Sequence, residues 1–403
     1  MAAGRCGGTG MTGPPGALAP RPGPADGPVY LDHNATTPVD PRAVEAMAPY
    51  LTVHFGNPAS GHPYGAEPRR ALARARAQVA ALIGARPSEV VFTSSGSEAN
   101  LLALRGTLLA SGRSAPHVIT QATEHPSVLE TARALRRLHG ARVTVLPVDG
   151  AGLVAPDALA AALTEETVLV SVMAANNETG ALQPITELAA LARTHGALFH
   201  CDAAQATGKI PLDVQALGVD LLTVVGHKMY APKGVAALYV REGVRLEPVV
   251  YGGGQERGLR AGTENVALAV ALGTAARVAA GELADGAPAR VAALRDDLHR
   301  RLTVALPGRV RLNGPERQRL PNTLNVSVEG TLGHELLARA DRIAASTGSA
   351  CHSGTHSPSP VLTAMGLAAD RALGALRLSL GRWTTAEDVE TAATAVARAA
   401  AAP

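Results

Sequence analysis

The sequence predicts an α/β protein with a large, mainly parallel sheet and a second, smaller α+β domain. Over residues 41–285, short apolar segments with the length of strands alternate with helical segments, a pattern typical of βαβ units. The pattern changes from about residue 286, where a long helix precedes isolated strands. The length of 403 residues also exceeds what one hydrophobic core ordinarily supports, which favours two domains.

The predicted domains divide the chain as follows. Residues 1–28 are rich in Gly, Pro and Ala and contain few large apolar side chains, so we expect a disordered tail without a signal peptide. Residues 41–285 form the predicted large domain, and residues 29–40 are expected to join residues 286–403 in the small domain. The apolar stretch 266–276 is expected to end at an arginine and to be too short to span a bilayer.

Composition argues against several functional classes. The chain has 37 basic and 34 acidic residues, a net charge of +3, whereas nucleic-acid-binding proteins are usually more basic. Aromatic residues make up only 2%, which argues against base-stacking surfaces. The cysteines Cys6, Cys201 and Cys351 form neither a CxxC metal motif nor an even disulfide framework. We therefore expect a cytoplasmic protein with no nucleic-acid or membrane partner and no bound metal.

The segment around Lys228 contains the first candidate for catalysis. The apolar run 220–225 predicts a buried strand, and Gly226-His227-Lys228 follows it directly. A lysine among apolar neighbours has a lowered pKa and can attack a carbonyl, although a lone lysine is more often a surface loop residue. The preceding predicted strand ends in Asp202. Enzymes that use pyridoxal 5'-phosphate (PLP) need such a pair, a lysine for the aldehyde and an acid that keeps the ring nitrogen protonated.

Further polar residues follow other predicted strands. Strand 89–93 precedes Ser94-Ser95-Gly96-Ser97-Glu98-Ala99-Asn100, which either binds a phosphate at a helix N-terminus or is an ordinary N-cap. His125 follows the next strand as a candidate for ring stacking and proton transfer, or as a structural histidine. Asn177 follows another strand in what is otherwise a polar turn. Ligands of parallel sheets bind at the carboxyl ends of strands, so we expect these residues to converge.

Two other segments allow competing interpretations. The glycine run 252–254 is compatible with a nucleotide-binding loop, but its spacing departs from GxGxxG. The small, polar segment 346–358 predicts a loop that carries Cys351, and the neighbouring His352 and His356 would favour its thiolate or bind a metal with it. No acidic residue nearby supports these histidines as metal ligands usually require.

These motifs resemble a known family. The segments His200-Cys201-Asp202-Ala203-Ala204-Gln205 and Gly226-His227-Lys228 are similar to the PLP-binding segments of cysteine desulfurases and selenocysteine lyases, in the class V aminotransferase group. The resemblance extends from about residue 29 to about residue 389. It implies PLP fold type I, with a mainly parallel sheet of the seven-stranded type in the large domain, and a homodimer with shared active sites.

The resemblance also implies a role for each matching residue. Lys228 would bind PLP and, with His125, move protons, while Cys351 in its Gly-Ser-Ala-Cys phrase would be the catalytic nucleophile. Arg377 would bind the substrate carboxylate together with Asn34 or Asn177, although a surface ion pair is the simpler explanation of an isolated arginine. The cofactor-binding positions would be Gly96, Ser97, His125, Asn177, Asp202, Gln205, His227, Lys228 and Thr263, the last reaching the phosphate of the partner subunit.

The implied activity is conversion of L-cysteine to L-alanine by a PLP-dependent cysteine desulfurase. Sulfur would remain as a persulfide on Cys351 and pass to an acceptor protein for iron–sulfur cluster or thio-cofactor biosynthesis. Three alternatives stay open: a selenocysteine lyase acting on L-selenocysteine, another class V aminotransferase or lyase that does not use Cys351, and a glycine-rich nucleotide-binding protein without PLP.

Val225 departs from the family pattern. Many cysteine desulfurases carry a phosphate-binding serine at this position, whereas selenocysteine lyases of animals have a similar Val-Gly-His-Lys phrase. Phosphate binding would then depend more on Ser97 and His227.

Overall fold

A computed structural model describes residues 21–24, 26–348 and 357–401 of the chain. Its strands are β1 Val29–Tyr30, β2 Val90–Thr93, β3 His117–Gln121, β4 Arg142–Leu146, β5 Thr167–Ser171, β6 Leu198–Asp202, β7 Leu221–Val225, β8 Ala236–Val240, β9 Val310–Leu312, β10 Thr323–Val328, β11 Ile343–Ala344 and β12 Ala375–Ser379. Its α-helices are α1 Pro41–Met47, α2 Pro49–Thr52, α3 Pro63–Leu82, α4 Gly96–Ala110, α5 Pro126–His139, α6 Pro156–Ala162, α7 Ile185–Thr194, α8 Val214–Leu217, α9 Val266–Ala284, α10 Ala287–Ala305, α11 Gly333–Arg339, α12 Pro360–Ala364, α13 Ala369–Leu373 and α14 Ala386–Ala401.

Seven strands form the large sheet, in the order β2-β8-β7-β6-β5-β3-β4. All neighbouring pairs from β7 to β4 are parallel, and β8 runs antiparallel to both of its neighbours. Every residue of β5, β7 and β8 is buried, which explains why these strands appear in the sequence as continuous apolar runs. The predicted α/β fold with a mainly parallel sheet is confirmed.

The apolar stretch 266–276 is part of a longer helix, α9. It continues past Arg277 to Ala284 because Arg277 lies on its exposed face, where helical periodicity tolerates a charge. Among the described residues, it is the one helix long and apolar enough to cross a membrane by length and composition. However, 61% of the apolar part of this helix is buried inside the protein. The helix packs against α3 and α1. Burial in the core therefore accounts for its composition.

Two small sheets lie outside the seven-stranded sheet. β12, β10 and β9 form an antiparallel sheet in that order, and β1 pairs in parallel with β11. The chain after β1 also contacts β12, through a bridge between Asp32 and Ser379. Leu324, Leu376 and Leu378 belong to a hydrophobic cluster separate from that of the large sheet. The domain boundaries at residues 40 and 285 stay a prediction.

Candidate active site

A cavity of about 470 Å³ opens at the carboxyl ends of the parallel strands. It is lined by Gly96 and Ser97 after β2, His125 after β3, Asn177 after β5, Asp202 at the end of β6 and Lys228 after β7. Asn34, Gln205, His227 and Arg377 line the same cavity. Of the predicted site residues, Thr263 is not part of this lining, and Cys351 lies outside the described residues.

Lys228 lies in a short 3₁₀ turn, Gly226–Lys228, immediately after β7. Its Nζ donates hydrogen bonds to the carbonyl oxygens of Asn34 at 2.6 Å and Ala35 at 2.7 Å. Burial, and next the positive charge of Arg377, lower the pKa of Lys228 to about 8. A substantial fraction of this amine is therefore neutral near physiological pH, as attack on an aldehyde requires.

A residue with a strained backbone, Tyr230, follows the turn Gly226–Lys228, which we call the lysine turn. Tyr230 has a φ of 64°, a left-handed conformation that is rare for an aromatic residue. Its hydroxyl accepts a hydrogen bond from the backbone N–H of Arg382 at 2.7 Å, and its ring packs 4.0 Å from the Arg382 guanidinium. Such strain persists only when surrounding contacts enforce it, so the lysine turn has a well-defined position.

Asp202 presents a buried carboxylate to the cavity. Its Oδ2 accepts a hydrogen bond from Asn100 Nδ2 at 2.8 Å, and its Oδ1 accepts one from the backbone N–H of Ala204 at 2.9 Å. Both donors are uncharged, so they orient the carboxylate without neutralising it. The arrangement suits an acid that pairs with a protonated ring nitrogen.

His125 is connected to Asp202 through a short chain of polar groups. The backbone N–H of Ser127 donates to His125 Nδ1 at 3.1 Å, which caps helix α5. Asn100 Nδ2 in turn donates to Ser127 Oγ at 2.8 Å. Burial lowers the pKa of His125, which favours a neutral imidazole. A neutral ring suits both stacking and proton transfer.

The start of helix α4 forms the third part of the cavity. Ser95 is the N-cap, and its hydroxyl accepts a hydrogen bond from the backbone N–H of Glu98 at 3.1 Å. Ser97 is exposed at this end of the 15-residue helix. A Cβ added at Gly96 would lie 2.6 Å from Val225 Cγ2, so only glycine allows this approach to β7. The first N–H groups of a helix, together with an exposed serine, can bind an anion, and the predicted phosphate-binding role of Gly96 and Ser97 stays a prediction.

The loop that contains Thr263 contacts this helix through a different residue. Arg260 Nε forms an ion pair with Glu98 Oε1 at 2.9 Å. The predicted role of Thr263 at a partner subunit's phosphate stays a prediction.

Asn34 connects several elements around the cavity. Its Nδ2 donates to the carbonyl oxygen of Asn177 at 3.1 Å and to Thr323 Oγ1 at 2.8 Å. Its Oδ1 accepts from Asn322 Nδ2 at 2.9 Å and from Lys209 Nζ at 3.3 Å. The amide is thus fully engaged within the protein, and its predicted contact with a substrate carboxylate stays a prediction.

Gln205 supports the same residues. Its Nε2 donates to the carbonyl oxygen of Asn34 at 2.9 Å, and its Oε1 accepts from Lys209 Nζ at 2.8 Å. Its side-chain amide is therefore engaged with the protein at both ends.

Arg377 is a buried residue of β12, only 5% exposed, so the simpler explanation of a surface ion pair does not apply. Its Nη2 forms an ion pair with Asp32 Oδ1 at 2.8 Å, and its Nη1 donates to the carbonyl oxygen of Asn177 at 3.3 Å. Its Nε has no hydrogen-bond partner among the described residues. A guanidinium that lines a cavity can bind a carboxylate.

Sequence reasoning missed four residues that hold the site together. Asn100, Ser127, Asp32 and Glu178 are partners of the predicted residues or their neighbours. Asn100 offered one signal, since it follows Gly96 by one helical turn and therefore lies on the same face of α4. Ser127 lies in the first turn of α5, and Asp32 and Glu178 lie in irregular segments, where no periodic pattern marks them.

Cys201 is the free cysteine among the described residues, and it is fully buried in β6. Burial raises the pKa of its thiol well above the usual value, so this thiol is unreactive.

We compared the sequence and the fold of the chain with those of known proteins. The family model for Aminotransferase class-V matches residues 29–391. The chain belongs to the class-V aminotransferase family.

Curated relatives within this family make the similarity more specific. A cysteine desulfurase of Trichormus azollae is 47% identical over 364 residues, which cover 90% of each chain. The mitochondrial cysteine desulfurase of Drosophila melanogaster is 48% identical over 366 residues, covering 90% of this chain and 79% of that protein. A solved structure titled NifS-like protein has a TM-score of 0.85 and 36% identity, covering 92% of this chain and 98% of its own. The resemblance inferred from the sequence motifs is confirmed.

Proposed function

We propose that the chain is a PLP-dependent cysteine desulfurase that converts L-cysteine to L-alanine and retains the sulfur as a persulfide on Cys351. Relatives with nearly half of their residues identical carry the name cysteine desulfurase. The observation that carries the proposal is one cavity lined by both the Lys228 amine, with its lowered pKa, and the Asp202 carboxylate. These are the two groups that PLP chemistry requires.

The residues of the cavity fit PLP, the cofactor of this enzyme family. Lys228 would bind the aldehyde and Asp202 the ring nitrogen, while the start of helix α4 at Gly96 and Ser97 would bind the phosphate. The remaining cofactor contacts would come from His125 on the ring face, Asn177 at the ring hydroxyl, and Gln205 and His227. When bound, PLP supplies an electron sink next to the α-carbon of the substrate.

The protein's own residues would then carry out three tasks. Arg377, which lines the cavity, binds the substrate carboxylate, and Asp32 orients the guanidinium. Lys228 and His125, whose pKa values are both lowered by burial, accept and return protons. Cys351 thiolate attacks the substrate's sulfur, and the C–S bond breaks with its electron pair left on carbon. That carbon takes up a proton, so the products are alanine and an enzyme persulfide.

Chain connectivity supports the role of Cys351. Ser346 pairs with Arg377 through two backbone hydrogen bonds, of 2.6 Å and 3.3 Å. Cys351 follows Gly348 by three residues, and three residues span at most about 11 Å. We propose a cytoplasmic enzyme that passes its sulfur to an acceptor protein for iron–sulfur cluster or thio-cofactor biosynthesis.

The surface supports a homodimer. Leu51, Val53, Phe55 and Tyr64 are each between 61% and 67% exposed, and the rings of Phe55 and Tyr64 lie 5.7 Å apart. A cluster of exposed apolar side chains of this kind usually marks a protein interface. In such a dimer, Thr263 would be free to contact the partner subunit, since it does not line the cavity of its own subunit.

Three measurements on the purified protein test this function. The protein should be yellow, and borohydride should fix the cofactor to Lys228 and not to Lys209, a second buried lysine whose pKa is also lowered. Cysteine should yield alanine, and Cys351→Ala should keep the cofactor but form no persulfide. A colourless protein without an adduct at Lys228 would overturn the proposal.

A parallel assay with L-selenocysteine addresses the alternative substrate. We expect alanine release from cysteine to be the main activity. A large preference for selenocysteine would identify a selenocysteine lyase instead, and alanine release that is independent of Cys351 would identify another class V lyase.

A further inference from the structure

Lys209 is a second lysine close to the cavity, and its side chain contacts two amides that line it. It lies in the turn after β6, where its backbone N–H donates to the carbonyl oxygen of Ala206 at 3.0 Å. Its Nζ donates to Gln205 Oε1 at 2.8 Å and to Asn34 Oδ1 at 3.3 Å. Both amides line the cavity, whereas Lys209 is not part of that lining. Lys209 therefore contacts the residues of the cavity from behind.

The end of a lysine side chain carries N–H groups, so it determines which atom of an amide faces it. An ammonium has three N–H donors and no acceptor, and a neutral amine still has two N–H donors. The atom that faces Lys209 is the oxygen of each amide, so the NH₂ groups of Gln205 and Asn34 face other residues. Burial, and next the positive charges of Lys228 and Arg377, lower the pKa of Lys209. Both of its charge states can supply the two hydrogen bonds.

The oriented amide of Gln205 is connected to the reactive amine. Gln205 Nε2 donates to the carbonyl oxygen of Asn34 at 2.9 Å, and Lys228 Nζ donates to the same oxygen at 2.6 Å. If the Gln205 amide were reversed, its oxygen would face that carbonyl oxygen, and two acceptors at this separation repel each other. The carbonyl that holds Lys228 would then have to move. One directed chain of hydrogen bonds thus runs from Lys209 through Gln205 and Asn34 to Lys228.

The side-chain amide of Asn34 has a second support. Its Oδ1 also accepts from Asn322 Nδ2 at 2.9 Å, and Asn322 Nδ2 donates as well to the carbonyl oxygen of Leu380 at 3.2 Å. A carbonyl oxygen can only accept, so this contact fixes the orientation of Asn322 without Lys209. We therefore expect removal of Lys209 to disturb Gln205 more than the side-chain amide of Asn34.

We propose that Lys209 is a positioning residue that orients the Gln205 amide and thereby fixes the carbonyl oxygen that holds the Lys228 amine. The inference rests on the proposed function, because it concerns the amine that would bind PLP. Lys209 touches neither the cofactor nor the substrate in this scheme. Its contribution is geometric, since a displacement of about 1 Å in a reacting group can slow a reaction about 10²-fold.

Capture of PLP by the full-length apoenzyme, measured across a range of pH, tests the proposal. Borohydride trapping and mass spectrometry follow the rate at which the adduct forms at Lys228. Lys209→Met removes the N–H donors but keeps most of the length of the side chain. We expect this variant to lower the plateau rate at high pH, where Lys228 is neutral, by about 10-fold. A change in the midpoint of the profile alone would instead reflect a change of charge near Lys228.

Two further variants distinguish orientation from the loss of a side chain. Lys209→Arg keeps N–H donors without an acceptor, so it should recover most of the plateau rate. Lys209 also lines a second cavity, of about 330 Å³, which gives the longer arginine side chain room. Arg290 lines the same second cavity but donates to the carbonyl oxygens of Arg382 and Thr384. Arg290→Met is therefore the matched control, and it should leave the plateau rate unchanged.

A double-mutant cycle tests whether Lys209 and Gln205 act in series. Gln205→Leu removes the amide that Lys209 orients, and we expect it to slow capture at least as much as Lys209→Met does. The double variant should then be little slower than Gln205→Leu alone, because Lys209 has no amide left to orient at this position. Additive losses in the double variant would contradict the proposal.

The outcomes separate this role from the proposed function. If the wild type forms no adduct at Lys228, the proposed function itself fails. If the wild type forms it and Lys209→Met keeps the plateau rate, the role of Lys209 alone is wrong, including the case in which only the midpoint moves. Loss of thermal stability in step with the plateau rate, without rescue by Lys209→Arg, would also overturn this role, since it would identify a purely structural residue.

Discussion

The two walls of the cavity are built in different ways. One wall belongs to the large sheet, where the adjacent parallel strands β6 and β7 carry Asp202 and Lys228 at their carboxyl ends. The other comes from the chain after β1 and from β12, which contribute Asn34 and Arg377. The ion pair of Arg377 joins it to Asp32, 345 positions away in the sequence. Strand order determines the first wall, and long-range polar contacts determine the second.

This difference separates chemistry from positioning. In the wall formed by the large sheet, backbone register places the reactive groups, so substitutions there remove a chemical function. In the other wall, the orientation of each side chain depends on its partners. We therefore expect substitutions in the wall formed by the large sheet to lower kcat. Charge changes in the other wall should mainly alter the pH dependence of PLP uptake.

Replacement of Lys228 should have the largest effect. Lys228→Ala removes the amine that binds the cofactor's aldehyde, and we expect kcat to fall on the order of 10³-fold or more. Lys228→Arg is the control, because it keeps a positive charge but its pKa is too high for attack on an aldehyde. Neither variant should give an adduct after borohydride reduction, as mass spectrometry would establish. Near-normal turnover of Lys228→Arg would be incompatible with the assigned role.

Two histidines of neighbouring strands provide the next test. His125 lies at the edge of the sheet, whereas His200 is buried within β6, where its ring bonds to Ser171 Oγ at 2.8 Å and Thr223 Oγ1 at 3.0 Å. Burial lowers the pKa of His200 to about 4, so it is neutral. We expect His125→Ala to lower kcat by about 10²-fold with little loss of stability.

His200→Ala should have the opposite profile. It leaves two buried hydroxyls unpaired and a cavity, so unfolding free energy should fall by about 2–4 kcal/mol while kcat per folded molecule is unchanged. Denaturant unfolding and steady-state kinetics on both variants measure the contrast. If His125→Ala and His200→Ala lowered kcat equally, the assignment of His125 to catalysis and of His200 to stability would be wrong.

The wall of the large sheet was largely predictable from the sequence. Each apolar run that ends in a polar residue marks a strand end, and this pattern identified His125, Asp202 and Lys228 before any resemblance was considered. Parallel strand order then requires these ends to meet. The structure brings them to one cavity, although their catalytic roles stay predictions.

The other wall was not predictable in the same way. Arg377 and Asn34 were selected through the family resemblance, because contacts across hundreds of positions carry no local signal. The partners Asp32 and Glu178 were not predicted, since the sequence does not show which residue a polar side chain in a loop contacts. The apolar stretch 266–276 belongs to the longer helix α9, because one exposed arginine interrupts the apolar composition without interrupting the helical periodicity.

The pH dependence of cofactor capture tests the coupling between the walls. The neutral form of Lys228 attacks the aldehyde, so the rate of PLP uptake by the apoenzyme should rise with pH and be half-maximal near the lowered pKa of about 8. N-acetyl-lysine is the control, with an expected midpoint near the ordinary value of about 10.4. A midpoint near that of N-acetyl-lysine would exclude the lowered pKa.

Asp32→Asn sharpens this experiment. The negative charge of Asp32 raises the pKa of Lys228, so its removal should move the midpoint downward by a fraction of a pH unit. Asparagine keeps an oxygen that can accept from Arg377, so the guanidinium should stay oriented. An unchanged midpoint would show that the two walls act independently, and an upward shift would contradict the assigned effect of the Asp32 charge.

The smallest expected effect concerns Val225, the last residue of β7. Its side chain lines the cavity beside Gly96 and is only 5% exposed. Val225→Ser would place a hydroxyl next to the predicted phosphate site at Gly96 and Ser97, and one added hydrogen bond should tighten PLP binding by about 3- to 10-fold. Equilibrium titration of the apoenzyme with PLP, followed by fluorescence, measures this change.

Val224→Ser is the matched control for this last prediction. Side chains alternate along a strand, so Val224 points to the opposite face of the sheet, where it is fully buried in the core. Both substitutions lose apolar burial and should lower thermal stability, but only Val225→Ser should improve PLP affinity. If Val225→Ser weakens PLP binding as much as Val224→Ser does, close packing against Gly96 matters more than a missing hydroxyl, and the phosphate depends on the N-terminus of α4 alone.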